Sequence, residues 1–258
     1  MKIDMKKYSP SKEVGKKTEL REIEDKKVVP PFYEKIMSHG KVGLRLLEEK
    51  DVEIISELWR QCYGELYGSS LKYDWVLYPE QYQNHVAFKE NWKNDSVEKN
   101  FCMILFENIE KREIIGAWAL WKDDRNLQIE FSLGIIHPEY RKENQENRIV
   151  SNVDDYIKTL EEQSGAEYFT AFCETWHNKT QYLCFKRWGF KIAGIFPGQT
   201  TRWNEDQKEY RACEVHFYKF IGDTERFVTK TEEWELLPEF KKLWDVLEEI
   251  NKNSVKTY

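Results

Sequence analysis

Three closely spaced apolar runs constrain the fold of this chain more than any other feature. They are FCMILFE at 101–107, EIIGAWALW at 113–121 and LQIEFSLGIIH at 127–137. The polar segments between them, 108–112 and 122–126, are short enough to join only antiparallel neighbours. Pro138 follows the third run and cannot donate to a strand ladder. The sequence therefore predicts an antiparallel meander whose third strand ends at Pro138.

Helical and strand patterns on both sides of the meander predict the remaining elements. Asn178 is predicted to cap one helix, with Gln181 at its capping-box position, and 197–210 is predicted to be a polar loop. In chain order we expect a strand at 42–47, a helix capped by Asp51, the meander, a helix at 144–163, a strand at 167–173, a helix at 179–188, and strands at 190–196 and 212–221. This order predicts an α+β fold with a central mixed, mostly antiparallel sheet flanked by helices.

The two ends of the chain differ from its middle. Residues 1–41 are charged and predict an N-terminal extension, 42–222 the main domain, and 223–258 a C-terminal helical extension. The last segment carries apolar residues at three- and four-residue spacing: Phe240, Leu243, Trp244, Leu247 and Ile250. We expect this stripe to pack on the main domain, with a homodimer or a protein partner as the alternative.

Composition excludes several classes of function. The net charge of -6 disfavours a nucleic-acid-binding module, since phosphate binding depends on Lys and Arg. The five cysteines include no CxxC pair, which predicts free thiols and no metal site. The chain contains no apolar run of about 20 residues and begins without an apolar leader, so we expect a cytoplasmic protein that does not bind membranes.

Three segments resemble the GNAT superfamily of N-acetyltransferases. LRLLEEKDVEIISELW at 44–59 is similar to the first strand and helix of that family, and LGIIHPEYRKENQENRIV at 133–150 to its acyl-CoA motif. NKTQYLCFKRWGF at 178–190 resembles the late motif, in which Asn opens a helix that ends in Gly-Phe. The resemblance covers about 43–222 and marks the chain as a divergent member. It implies acetyl-CoA or another acyl-CoA as cosubstrate, an amine acceptor and no metal.

The resemblance also implies a set of acyl-CoA-binding residues. A pyrophosphate binds converging backbone N–H groups at a helix N-terminus. The family pattern has small residues where this chain has Asn144 and Glu146; Asn tolerates a positive φ, whereas a carboxylate there repels phosphate. Alternatively, Arg141 and Lys142 form a solvated helix start. The implied acyl-CoA-binding residues are Ile135, Ile136, Arg141, Lys142, Asn144, Gln145, Asn147 and Asn178.

Direct acyl transfer to an amine requires a general base. Glu130 is the first candidate, because it interrupts an apolar strand where burial raises a carboxyl pKa. Alternatively, Glu130 lies on the polar face of an alternating strand. His177 and Glu174 are further candidates for the base. The family often has a Tyr that acts as general acid toward the leaving thiolate, and this chain has Phe185 at that position. Tyr182, one helical turn earlier, is therefore the predicted general acid.

An aromatic segment before the meander predicts the acceptor site. Tyr67, Tyr73 and Trp75 are interspersed with Glu65 and Asp74. Aromatic faces and carboxylates together favour a cationic amine. A packed irregular segment without contact to substrate is the alternative interpretation.

These observations predict an acyl-CoA-dependent N-acyltransferase, which transfers an acetyl group to an amine of a small molecule or of a protein Lys. Catalysis would proceed by direct attack with a general base. The alternative is a catalytically degenerate GNAT-fold protein that binds or regulates a partner, since Asn144, Glu146 and Phe185 replace expected groups.

Overall fold

The computed structural model describes residues 17–22, 25–36, 41–64, 73–141, 153–204 and 206–257. None of the helices in these ranges is long and apolar enough to cross a membrane. The strands are β1 Glu34–Ile36, β2 Val42–Leu46, β3 Val86–Ala87, β4 Phe101–Asn108, β5 Glu113–Asp123, β6 Gln128–Ile136, β7 Tyr168–Glu174, β8 Lys191–Trp203 and β9 Glu209–Phe220. The helices are α1 Val52–Tyr63, α2 Tyr82–His85, α3 Trp92–Glu98, α4 Val153–Gln163, α5 Lys179–Lys186 and α6 Pro238–Asn251.

The described strands form one mixed, mostly antiparallel sheet in the order β1-β2-β4-β5-β6-β7-β9-β8, with β3 beside β4. The predicted meander is confirmed as β4, β5 and β6, which pair antiparallel through short turns. β6 ends at Ile136, just before Pro138. The β3–β4 and β6–β7 pairs are parallel, and the second of them creates the feature on which the site depends.

β6 and β7 pair over only part of their length. Their parallel register runs from Gln128 beside Tyr168 to Phe131 beside Ala171, and no pairing follows although both strands continue. Directly after the last pair, β6 contains a bulge, because Ser132 has no partner on β5. A bulge bends and twists its strand. The two strands therefore part at the centre of the sheet.

Helices cover both faces of the sheet. One face packs against α4 and α5, where Tyr156 and Cys184 join Phe131 and Phe169 in a buried cluster. The other face packs against α1 and the segment 73–88. In α1, Ile55, Leu58 and Trp59 are buried as their spacing predicts, whereas Ile54 is exposed.

The predicted polar loop at 197–210 is wrong, because most of it is strand. Thr200 pairs with Ala212 and Trp203 with Glu209, so β8 and β9 form one long hairpin. The pattern was misleading because β8 is the last strand of the sheet. Strand pairing there uses backbone groups, and the largely uncovered surface tolerates polar side chains.

Two predicted helix caps are correct in position but lack the expected side-chain bond. Neither Asn178 nor Asp51 makes a side-chain capping bond, although each precedes a helix. Gln181 Nε2 instead donates to the carbonyls of Glu174 and His177, at 2.9 Å each. Asp51 pairs with Arg45 at 2.6 Å. Asp51 also accepts from the Glu48 N–H at 3.0 Å, in a capping box of the short 3₁₀ turn that precedes α1.

Both terminal segments contact the main sheet. Val28 and Tyr33 of the N-terminal segment belong to the buried core. In α6, Trp244 and Leu247 are half-buried, and Asn251 bonds both backbone groups of Ile192. The rest of the predicted apolar stripe, Phe240, Leu243 and Ile250, stays exposed in the single chain. The expected burial of this stripe on the main domain is therefore wrong for most of its length.

Candidate functional site

A cavity of about 400 Å³ lies where β6 and β7 part. Its walls include Phe131 and Gly134 of β6, and Ala171 and Cys173 of β7. Thr180 and Cys184 of α5 complete one side, and the β8–β9 hairpin adds Thr200, Arg202 and Glu214.

The five cysteines are free thiols, as predicted, and three of them are buried.

The parted strand β6 directs backbone groups into this opening. The N–H of His137 donates to the carbonyl of Ile115, on the side of β5. Successive residues of a strand point their backbone N–H and C=O groups to opposite sides, so those of Gly134 and Ile136 point away from β5. Two contacts agree with this direction: the Tyr63 hydroxyl donates to the Gly134 carbonyl at 2.8 Å, and Arg141 Nε donates to the Ile136 carbonyl at 2.7 Å. The N–H groups of Gly134 and Ile136 therefore face the gap.

Three glutamates share one face of the sheet beside the cavity. Glu130 lies next to Thr170 on β7, and Glu174 lies opposite Glu214 on β9. Because side chains alternate along a strand, this register places all three carboxylates on the side of α1. Glu130 and Glu214 are only 3% and 7% exposed. The face is therefore acidic and largely shielded from water.

Glu130 reaches the cavity through two hydroxyl groups. Tyr73 donates to Glu130 Oε1, and Ser132 Oγ donates to the same oxygen at 3.1 Å. Tyr73 and Ser132 both line the cavity, whereas Glu130 lies behind them. The alternative interpretation, in which Glu130 occupies a solvent-facing polar side of the strand, does not fit a buried and hydrogen-bonded carboxylate.

Glu174 and Glu214 line the cavity directly. Glu174 Oε1 accepts from Arg202 Nη2 at 2.6 Å, whereas its buried Oε2 has no hydrogen-bond partner among the described residues. Burial raises the pKa of Glu174, and Arg202 opposes that rise. Burial and the charge of Glu174 together raise the pKa of Glu214. Both carboxyl groups therefore hold a proton more readily than exposed ones.

His216 belongs to the same face, although the sequence did not single it out. Its ring lies between Phe172 and Phe196, with centroids 4.1 and 3.8 Å away. Its Nε2 is 3.6 Å from Glu214 Oε2, and burial lowers its pKa. Glu214 and His216 are two residues apart and alternate with Cys213, Val215 and Phe217, which was a signal that both face one side.

The structure separates the other predicted catalytic residues. His177 lies at the cavity wall, close to Glu174. Tyr182 is 63% exposed and, together with Asn178, lines a different groove. The cause is the orientation of α5, which turns Thr180 and Cys184 toward the cavity and its other side away from it.

The predicted acceptor residues also separate. Tyr73 lines the cavity, whereas Trp75 is 3% exposed and packs against Phe101 and Tyr82 at 4.8 and 5.2 Å. The Ile135 side chain is buried in the α1-side core. Tyr67, Lys142, Asn144, Gln145 and Asn147 lie outside the described residues.

Comparison with solved structures gives the fold. The ribosomal-protein-S5-alanine acetyltransferase of Vibrio fischeri is similar with a TM-score of 0.54 and 12% identity, over 74% of this chain and 98% of that one. The spermidine N-acetyltransferase of Vibrio cholerae, solved with CoA and spermine, has a TM-score of 0.50 and 17% identity, over 71% and 98%. No family model and no curated protein matches the sequence. This chain thus has the GNAT acetyltransferase fold in a strongly divergent sequence.

Proposed function

We propose that this protein is an acyl-CoA-dependent N-acyltransferase, using acetyl-CoA, whose acceptor is a cationic amine. The observation that carries this proposal is the Tyr73–Glu130 pair, in which Tyr73 lines a cavity formed where two parallel strands part and Glu130 lies behind it. A base beside an enclosed opening of this kind is the arrangement that direct acyl transfer requires.

The gap between β6 and β7 suits the thioester arm of acyl-CoA. An extended chain with amide groups binds to the exposed edge of a strand through backbone hydrogen bonds. The N–H groups of Gly134 and Ile136 face this gap, as the Tyr63 and Arg141 contacts to their carbonyls indicate. An N–H in this position polarises the thioester carbonyl and stabilises the negative charge that develops on its oxygen.

The three glutamates suit an acceptor that arrives as an ammonium ion. Glu174 and Glu214 line the cavity; Arg202 pairs with Glu174 and its charge also acts on Glu214, so one positive charge faces two carboxyl groups. The spermidine N-acetyltransferase with the same fold was solved with spermine, which is a cationic amine. We therefore assign Glu174 and Glu214 to binding of the ammonium group.

The ammonium must lose a proton before its nitrogen attacks. In the proposed step Tyr73 Oη accepts this proton while its own proton passes to Glu130 Oε1. The neutral nitrogen then forms the C–N bond and the C–S bond breaks. CoA leaves as a thiolate and takes the second proton that the nitrogen releases, so the products are a neutral amide and CoA thiol. A thiol with an ordinary pKa of about 8.5 leaves readily in this form, so Tyr182 need not reach the sulfur.

Calorimetric titration with acetyl-CoA, followed by turnover on a panel of amines and their matched alcohols, tests the proposal. We expect acetyl-CoA binding, turnover of amines only, and a decrease in kcat of about 10²- to 10⁴-fold in Glu130→Gln. Glu57→Gln, at an exposed position of α1, is the control that keeps full activity. Absence of binding refutes the proposal, and binding without turnover supports the non-catalytic alternative.

A further inference from the structure

A large apolar surface is formed by the C-terminal helix α6 together with α5 and β8, and it shares no lining residue with the cavity. We call it the C-terminal apolar face, and it consists of Tyr182, Ile195, Phe196, Leu236, Leu237, Phe240, Leu243, Val246 and Ile250. The exposed fractions of these side chains range from 40% to 67%. Single exposed apolar residues are ordinary, but a contiguous group of this size marks an interaction surface.

The C-terminal apolar face has both a hollow and a ridge. The hollow is a groove of about 790 Å³ between α5, β8 and α6, with Tyr182, Phe185, Ile195 and Leu243 in its walls. Leu236, Leu237 and Phe240 are exposed around the start of α6, whose later residues Leu243 and Val246 form one wall of the groove. A surface with an apolar ridge next to an apolar groove is complementary to itself.

α6 draws only part of its stability from packing within the single chain. Asn251 is its one buried residue, and Trp244 and Leu247 are half-buried. An isolated helix of this length is marginal in water, and helices normally gain stability by packing an apolar stripe. Here most of the stripe faces solvent, so the helix gains the larger part of its packing energy when this surface is covered.

The size of the C-terminal apolar face matches a dimer interface. Nine side chains of about 150–200 Å², each roughly half exposed, present on the order of 800 Å² of apolar surface. A stable interface buries about 800 Å² on each partner, whereas the largest patch on a typical monomer is about 300–600 Å². The available area is therefore sufficient for a second copy.

We propose that a second copy of this chain covers the C-terminal apolar face, with the two copies related by a two-fold axis. The ridge formed by Leu236, Leu237 and Phe240 of each copy enters the groove of the other. A two-fold axis makes this contact twice, so the arrangement closes as a dimer. Charge agrees with this docking, because Lys186 lines the groove and Glu239 flanks the ridge. The dimer does not depend on the proposed function.

Sedimentation velocity on the full chain over a concentration series tests the proposal. We expect a dimer that dissociates on dilution, and a dissociation constant at least about 30-fold higher in Phe240→Glu or Leu243→Glu. Ile54→Glu is the matched control: Ile54 is 56% exposed on α1, outside this face, and its variant stays dimeric. Far-UV circular dichroism of every variant verifies that the fold is retained.

A charge reversal gives a second test. Lys186→Glu weakens the dimer by repulsion from Glu239, and adding Glu239→Lys restores it. Lys186 also donates to the Asn253 carbonyl at 2.9 Å, and rescue by Glu239→Lys separates the interface effect from that contact. A wild-type chain that stays monomeric at every concentration overturns the proposal, as does a monomer that associates only with a different protein. Equal loss in the Ile54→Glu control overturns it as well.

Discussion

The Tyr73 hydroxyl donates a hydrogen bond to Glu130 Oε1, joining two residues that are 57 positions apart in the chain. Tyr73 precedes a short 3₁₀ helix, Asp74–Leu77, whereas Glu130 lies in the central strand β6. Tyr73 also packs edge-on against Phe101 at 5.9 Å, which holds its ring in place. The tyrosine thus connects the cavity to a carboxylate buried behind its wall.

Tyr73→Phe removes this connection while keeping the ring. We expect kcat to fall by about 10²-fold or more, because the ammonium proton loses its route to Glu130. The affinity for acetyl-CoA should remain, since β6 and β7 still part. Stability should decrease by about 1–3 kcal/mol, because a buried carboxylate loses a donor. Tyr78→Phe, at a 47% exposed position nearby, is the control for both measurements.

Glu214→Gln should stabilise the protein at neutral pH. The pKa of Glu214 is raised above its ordinary value of 4.5, mainly by burial and then by Glu174, so charging this group costs more in the folded protein than in the unfolded chain. Its stabilising contribution is therefore complete below pH 4.5 and is lost as the pH rises through the raised pKa. Gln stays neutral throughout. In urea unfolding, the free energy of unfolding of Glu214→Gln should exceed that of the wild type at pH 7, and the difference should disappear below pH 4.5. A difference that is the same at both pH values would contradict this prediction.

Two glycines of neighbouring strands, Gly116 of β5 and Gly134 of β6, should respond differently to substitution by Ala. A Cβ on Gly116 would lie 2.5 Å from the Ile135 carbonyl oxygen, so Gly116→Ala should lower stability by about 1–3 kcal/mol. A Cβ on Gly134 meets only Trp118, at an ordinary 3.6 Å. Gly134→Ala should therefore fold normally but weaken acetyl-CoA binding, because Gly134 lines the cavity. Thermal unfolding and calorimetry distinguish the two effects, and equal loss of stability in both would refute this account.

Lys122→Met should loosen the N-terminal segment. Lys122 is 4% exposed, and its Nζ donates to the carbonyls of Val28, Ser96 and Val97 at 2.8–2.9 Å. Removing these charged bonds should cost roughly 3 kcal/mol and speed proteolysis before residue 33. Lys158→Met is the control: Lys158 forms an ion pair with Glu162, and both side chains are 58% exposed. This substitution should change the free energy of unfolding by less than about 1 kcal/mol. Denaturant unfolding and limited digestion measure both outcomes.

Much of the fold was predictable from local pattern. The meander follows from apolar runs and short polar turns, both of which are local properties. Glu130 stood out because a carboxylate in an apolar strand needs partners, and the structure shows Tyr73 and Ser132 as those partners. Local pattern did not predict the strands within 197–210. An edge hairpin pairs through its backbone groups and needs no apolar pattern in its side chains.

The sequence by itself determined which residues are apolar, which elements form and in what order, and that a glutamate lies within β6. Only the tertiary structure decided that β6 and β7 part after Phe131, because that depends on a bulge and on pairing between distant strands. It also brought Arg202 and Glu214 to the cavity and turned Tyr182 away from it. The direction of a side chain depends on what its element packs against, and that information is not local to the sequence.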